Sequence, residues 1–200
     1  MIFDFSKMTF SDAYRFMIGA IVPRPIAWVS TCSKEGVGNL APFSFFNGVC
    51  SNPPSLVFSI VRKADGSKKD TLLNIESTSE FVVNIAHADL AENVDETSEA
   101  HPYGVDELKL EGLTPLPSTR VKPVRVAEAK IHMECKLLKT VEIGAGGAGS
   151  STLVIGEIVC AHVEDSLVGD KNRIDFVKLD PLARLGGKSY GRGFKAFEIN

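Results

Sequence analysis

Two long segments in the second half of the chain, Ala129 to Ile143 and Thr152 to Glu164, flank a joint of glycine, alanine and serine, GAGGAGSS. Through Lys130-Ile131-His132-Met133-Glu134-Cys135-Lys136-Leu137 polar and apolar residues alternate with the period of two that a half-buried strand requires. The pattern predicts a hairpin with one wet face and one face in the core. Ile26–Thr31, Leu40–Phe46, Ser55–Val61 and Phe81–Ala86 also read as strands, by apolar density and by flanking Gly, Pro or Asn. Six or more strands, few helices and crossovers too short for repeated βαβ units predict a mainly β fold with peripheral helices. Its expected form is a closed or nearly closed antiparallel barrel.

Helices are few. Ser11 is a plausible cap for a short helix through Met17, with Gly19 marking its end, and Asp70 or Thr71 is a cap for a helix carrying Leu72-Leu73-Asn74-Ile75. An acidic helical piece is expected over Leu90–Ala100, followed by a loop-rich centre with Pro115, Pro117 and Pro123. No Pro-, Ser- or charge-rich linker divides the 200 residues, so one domain over 1–200 is expected. A net charge of -3 and the lack of a basic cluster argue against nucleic acid, because phosphate contacts need a cationic surface. The amino terminus MIFDFSKMTF has no leader pattern and no apolar stretch is long enough to span a membrane, so a cytoplasmic location is expected.

Cys32, Cys50, Cys135 and Cys160 form no C-x-x-C pair and read as buried free thiols. His87, His101, His132 and His162 lack metal-site spacing along the chain, and no metal is assigned. His101 lies in a loop with Pro102, Tyr103 and Gly104 that is placed to cover a substrate pocket, and neither it nor His162 is read as catalytic. The GAGGAGSS loop lacks the lysine and the strand-to-helix placement of a phosphate cradle, and reads as a mobile hairpin connection.

The segment Pro23 to Asn47, PRPIAWVSTCSKEGVGNLAPFSFFN, joins a strand, a Gly-containing turn and an apolar stretch edged by amides and hydroxyls, a surface suited to a wide, flat, partly polar ligand. Residues of several spaced motifs carry a resemblance. Pro23-Arg24-Pro25-Ile26-Ala27-Trp28-Val29-Ser30-Thr31, then Asn39-Leu40-Ala41-Pro42-Phe43-Ser44-Phe45-Phe46-Asn47 and Asn52-Pro53-Pro54, are followed by Lys69-Asp70-Thr71, Thr152-Leu153-Val154-Ile155-Gly156-Glu157-Ile158-Val159 and Arg184-Leu185-Gly186-Gly187-Lys188-Ser189-Tyr190. In that order they resemble the flavin reductase-like, FMN-binding split-barrel family. The resemblance implies a six-stranded split barrel, a homodimer and one FMN per subunit near the dimer interface.

An isoalloxazine ring needs apolar contacts on its faces and hydrogen bonds along one rim. Asn39 and Ser44 offer polar atoms, Ala41 and Pro42 permit close backbone approach, and Trp28 is a candidate to cover ring or ribityl surface; the alternative is a hairpin whose apolar residues fill the core. Ser30, Thr31, Leu40, Phe45 and Asn47 are carried over with their motifs. For the phosphate, Ser59, Arg62, Lys69, Asp70 and Thr71 suit the need for cations beside a helix N-terminus, the alternative being a solvated basic turn. Asp70 is expected to cap the helix or to orient Arg62 or Lys69, and Arg24 points either at the flavin or at the surface. Tyr190 matches an aromatic beside flavin or nicotinamide, or is a core tyrosine. Where short-chain reductases of the family place a histidine for nicotinamide, this chain has Ser150 and Ser151.

Three functions follow. The first is an FMN-dependent oxidoreductase that takes hydride from NADH or NADPH and reduces flavin, a partner protein such as a monooxygenase, or a small acceptor. The second is a flavoredoxin-like electron carrier with tightly held FMN, and the third an FMN-free binding module.

Overall fold

The computed structural model describes residues 1–199. Its main strands are β1 (Ala27–Cys32), β2 (Gly38–Phe43), β3 (Phe46–Ser51), β4 (Pro54–Val61), β5 (Glu80–Ile85), β6 (Ile131–Ile143) and β7 (Ser151–Val163), with helices α1 (Phe10–Ala20), α2 (Asp70–Thr78), α3 (Ala91–Glu96) and α4 (Glu107–Leu110). The strands hydrogen-bond in the order β2-β1-β5-β6-β7-β4-β3, every pair antiparallel. The glycine-rich joint connects β6 to β7, with Ser151 opposite Ile143.

Seven strands stand where the resemblance implies six, because the expected strand Leu40–Phe46 breaks at Ser44 and Phe45 into β2 and β3. That break closes the fold. β2 and β3 lie at opposite ends of the hydrogen-bonded order, yet a two-residue link ties them, so the two sheet edges must meet. They meet without a ladder between them, which leaves the barrel split at Ser44 and Phe45. The Ser59 N–H donates to the Phe45 carbonyl at 2.9 Å, one step beyond the β3–β4 register pair Phe46–Phe58, and holds the link to β4.

Inside the barrel, Phe43, Phe58 and Phe81 stack in sequence, with ring centroids 5.3 and 5.4 Å apart, among Val29, Leu56, Ile60, Val83 and Val154; α2 adds Leu72 and Ile75. Outside, the opposite face of β1 is covered as well. Trp28 and Leu40 pack with Leu90, Val94, Leu108 and Val126, so every residue of β1 is buried and strict alternation is lost there.

Local chemistry moves several boundaries. α1 begins at Thr9, not Ser11: the Thr9 hydroxyl accepts the Asp12 N–H at 3.1 Å and donates to the Asp12 carboxylate at 2.7 Å, a reciprocal cap. Gly19 lies within its last turn. The acidic helix ends at Glu96 because Thr97 turns its hydroxyl back to the Asn93 carbonyl, at 2.8 Å, and accepts the Trp28 indole N–H at 2.9 Å. Of the four free thiols, Cys32 and Cys135 are buried as expected, Cys50 is exposed and Cys160 half-buried. Among the described residues no helix is long and apolar enough to cross a membrane.

Candidate flavin site at the split of the barrel

The link that closes the barrel is surrounded by three adjoining hollows. A polar one of about 110 Å³ lies between Asn39, Ala41 and Pro42 of β2 and Lys63, Lys69, Asp70 and Thr71 at the start of α2. A second, of about 190 Å³, shares Pro42 and adds Ser44, Tyr14, Arg184 and Tyr190. The third and largest, about 560 Å³, shares Tyr14 and Lys63 and is walled by Phe10, Met17, Phe45, Val61 and Ile143. The first is too small for a drug-sized ligand, for which about 300 Å³ is a lower bound, but the series extends from a cationic end to an apolar one.

The cationic end is built by β2 and α2 together. Lys69 occupies the N-cap of α2 without capping it, so the first-turn N–H groups have no side-chain acceptor. Such an end carries partial positive charge. Asn39, buried, donates from one amide nitrogen to Thr31 at 3.2 Å and Thr71 at 3.0 Å; Asn74 donates to the same Thr31 oxygen at 3.1 Å. This network fixes α2 against the barrel. Lys63 pairs with Asp70 at 2.9 Å, whereas Lys69 forms no ion pair among the described residues and sits 5.9 Å over the Phe43 ring. Burial, and then the neighbouring Lys63, push its ammonium below the ordinary lysine value. A half-buried cation that forms no ion pair among the described residues, beside an uncapped helix end, is an electrostatic arrangement that favours an anion.

Three carboxylates line the same hollow, Asp70, Glu99 and Glu107. Glu107, buried, accepts the Leu40 N–H at 2.9 Å, and burial pushes its carboxyl up despite that bond. Its position explains Leu40, whose side chain is in the outer core and whose backbone is spent on α4. Neither Lys63 nor Glu107 is picked out by the sequence. Lys63 differs from Arg62 by one step along the chain, and Glu107 is brought in by a helix of four residues.

Other residues of the motifs lie behind this surface. Trp28 has no exposed area and therefore supports β2 from the outer core instead of covering a ligand. Ser30 is buried, its hydroxyl donating to the Val124 carbonyl at 2.5 Å, and Ser59 acts through its backbone bond to Phe45. Asn47 is exposed and accepts the Gly48 N–H at 2.8 Å. Arg62 is turned away from the cationic hollow, bonding Glu142 at 2.7 Å, and Asp70 neither caps α2 nor touches Arg62 or Lys69 by a hydrogen bond, its partner being Lys63.

Arg24 is buried rather than surface-exposed. It donates to the carbonyls of Ile18 at 2.8 Å, Ile21 at 2.7 Å and Leu185 at 2.9 Å, and to the Ser44 hydroxyl at 3.3 Å. It thereby ties the C-terminus of α1 to the split. Arg24–Pro25, Ala183–Arg184 and Tyr190–Gly191 form a small sheet that carries Tyr190 to the second hollow. There the phenol donates to Asp95 at 2.8 Å, with the Arg184 guanidinium 4.3 Å over the ring; burial and the Asp95 bond push its pKa up to about 12. Ser150 is buried, accepts the Gly146 N–H at 3.1 Å and lies against Gly144, where an added Cβ would come within 2.6 Å of its oxygen. That packing suits a small side chain.

Comparison with known proteins agrees with this geometry. The flavin reductase like domain model matches residues 18–182. An uncharacterized protein of Aquifex aeolicus is 41% identical over 181 residues, covering 90% of each chain. Among solved structures, nitrilotriacetate monooxygenase component B from Bacillus cereus superposes with a TM-score of 0.94 at 37% identity, over 100% of this chain and 98% of that one. The 2-nitrobenzoate 2-nitroreductase NbaA of Pseudomonas fluorescens gives 0.89 at 30% identity, over 100% and 95%. The split barrel, its motifs in order and these matches place the chain in the flavin reductase-like, FMN-binding split-barrel family.

Proposed function

We propose that this protein binds FMN across the split and acts as an oxidoreductase, taking hydride from NADH or NADPH and delivering electrons to flavin, a partner protein or a small acceptor. The observation that carries the reading is Lys69: a half-buried cation that forms no ion pair among the described residues, at an uncapped helix N-terminus, beside Asn39 and Thr71. A phosphate monoester supplies the missing negative charge and acceptor oxygens. Lys69, Lys63, Thr71 and the first N–H groups of α2 would hold it, and the backbone of Ala41 to Phe45 would take the ring, with the hollow of Tyr190 and Arg184 beside it.

Bound FMN supplies a reversible hydride acceptor. The protein would position it, with Pro42 and Phe45 excluding water, and with Arg24, bonded to Ser44 of the split, and Arg184, which lines the second hollow, supplying positive charge that favours negative charge on the ring. A buried Ser150 in place of the family histidine supports the electron-carrier reading as the second choice, since it removes one candidate contact to nicotinamide. Two relatives whose names describe redox proteins, a monooxygenase component and a nitroreductase, favour an enzyme.

We also propose a homodimer. No residue of α1 is buried, though Phe10, Tyr14, Phe16 and Met17 on it are apolar and exposed. A second copy laid on α1 would cover these side chains and close the largest hollow. The test of the function is anaerobic: the purified, FMN-loaded protein should lose its flavin absorbance on addition of NADH or NADPH within seconds to minutes. A yellow protein that neither nucleotide bleaches rejects the reductase and leaves the electron carrier.

A further inference from the structure

The hairpin that dominates the sequence carries a second cluster of chemically active side chains, far from the split. His132 and Glu134 are alternate residues of β6, and Cys160 and His162 alternate residues of β7. The register pairs His162 with His132 and Cys160 with Glu134, and an irregularity between Ile158 and Cys160 makes this possible. Before it, Ile158 faces Cys135; after it, Cys160 faces Glu134, so Val159 is the extra residue of a bulge. Without that residue, β7 would present its next side chains on the opposite face. The bulge therefore re-aims Cys160 and His162 onto the face of Glu134.

The contacts there are close. His162 Nε2 lies 2.6 Å from Glu134 Oε1 and 3.7 Å from Cys160 Sγ, and one ligand atom from each of the three residues lies within 4.8 Å of the others. Glu134 has no exposed area. It is held as a carboxylate by the N–H groups of Thr119 at 2.8 Å, Arg120 at 2.5 Å and Val121 at 3.2 Å, which fix its orientation from behind. Cys160 and His162 are half-buried, so the open side of the cluster faces solvent. The same imidazole nitrogen faces both the carboxylate and the sulfur. A catalytic relay would use the two ring nitrogens for two partners; convergence on one nitrogen is the arrangement of ligands around a shared centre.

We propose that Glu134, Cys160 and His162 form a binding site for a borderline divalent metal ion of the Zn²⁺ class. One oxygen, one imidazole nitrogen and one thiolate, with water completing a tetrahedron, is a donor set that favours such an ion over Mg²⁺ or Ca²⁺. Metal–ligand lengths of about 2.0 Å to nitrogen and 2.3 Å to sulfur put tetrahedral N and S neighbours ~3.5 Å apart, near the distance present. The imidazole and carboxylate must separate by less than about 1 Å to admit the ion on the same lengths. On binding, the Cys160 thiol proton leaves to solvent, and the ring proton that His162 Nε2 donates to the Glu134 carboxylate is exchanged through solvent for one on Nδ1, which frees the Nε2 lone pair for the metal. The nine residues of extended strand from Ser151 to Cys160 set the cluster ~30 Å along the hairpin from the glycine-rich end, so flavin binding at the split is a separate property.

The full-length protein, stripped with chelator, is titrated with ZnCl₂ in a calorimeter and with CoCl₂ in a spectrophotometer. One equivalent of Zn²⁺ per chain is expected, and Co²⁺ should give a thiolate-to-metal charge-transfer band. Cys160→Ser should abolish that band, and both Cys160→Ser and His162→Ala should weaken Zn²⁺ by more than the roughly 10- to 100-fold typical of losing an outer-sphere partner. Cys50→Ser, at the exposed thiol, and FMN affinity in Cys160→Ser should be unchanged. Absence of a stoichiometric Zn²⁺ equivalent, wild-type affinity in either Cys160→Ser or His162→Ala, or loss of binding in Cys50→Ser overturns the site.

Discussion

Lys69 shows how one residue's surroundings decide its role. Four cations stand within eight positions, Arg62, Lys63, Lys68 and Lys69, and three are paired with Glu142, Asp70 and Glu76. Lys69→Ala should therefore weaken FMN far more than riboflavin, which lacks the phosphate. A charge-assisted hydrogen bond is worth about 1.5–3 kcal/mol, or roughly a 10- to 100-fold drop in the FMN to riboflavin affinity ratio, measured by fluorescence quenching. Arg62→Ala should leave that ratio alone, because its charge is committed to Glu142. The pH dependence has a definite sign. Lys69 attracts phosphate when protonated, and its free-protein value is lowered by burial and then by Lys63; bound phosphate raises it again. FMN affinity should accordingly fall as pH rises through the lowered value, and Lys69→Arg should remove that alkaline decline. The cationic turn was legible in the sequence as a group, but which member is free was not: Lys63 and Lys68 take local partners, whereas Arg62 is taken by Glu142, 80 residues further along the chain.

At the scale of elements, the strands were legible because their alternation and their Gly, Pro and Asn punctuation are local. The split between β2 and β3 was not, because Leu40–Phe46 is apolar except for Ser44, and one serine among apolar residues does not mark a bend. The Glu134, Cys160 and His162 cluster of the hairpin was hidden for a related reason: linear spacing of His and Cys says nothing about cross-strand register, and a bulge is invisible in composition. Gly156 is an element-scale test of the barrel. It sits at the other irregularity of β7, and an added Cβ would come within 2.3 Å of the Phe81 ring, which is buried against Phe58. Gly156→Ala should cost about 1–3 kcal/mol by overpacking, read as a lowered urea midpoint with little change in slope.

For the whole molecule, the proposed second copy of the chain would account jointly for the exposed apolar side chains of α1 and for the open largest hollow. Sedimentation at micromolar concentration should give a dimer. Phe10→Glu together with Met17→Glu, which introduce charge on a face where no residue is buried within the subunit, should shift the protein to monomer without unfolding it; a wild-type monomer would reject the assembly. The central claim, that the split of the barrel ends in a phosphate receptor for a flavin, is tested most directly by calorimetry of the wild-type protein with FMN and riboflavin side by side. The account expects FMN to bind at least tenfold tighter, in line with the lower bound of about 1.5 kcal/mol for a single charge-assisted contact. Equal affinities, or no heat with FMN, would contradict it.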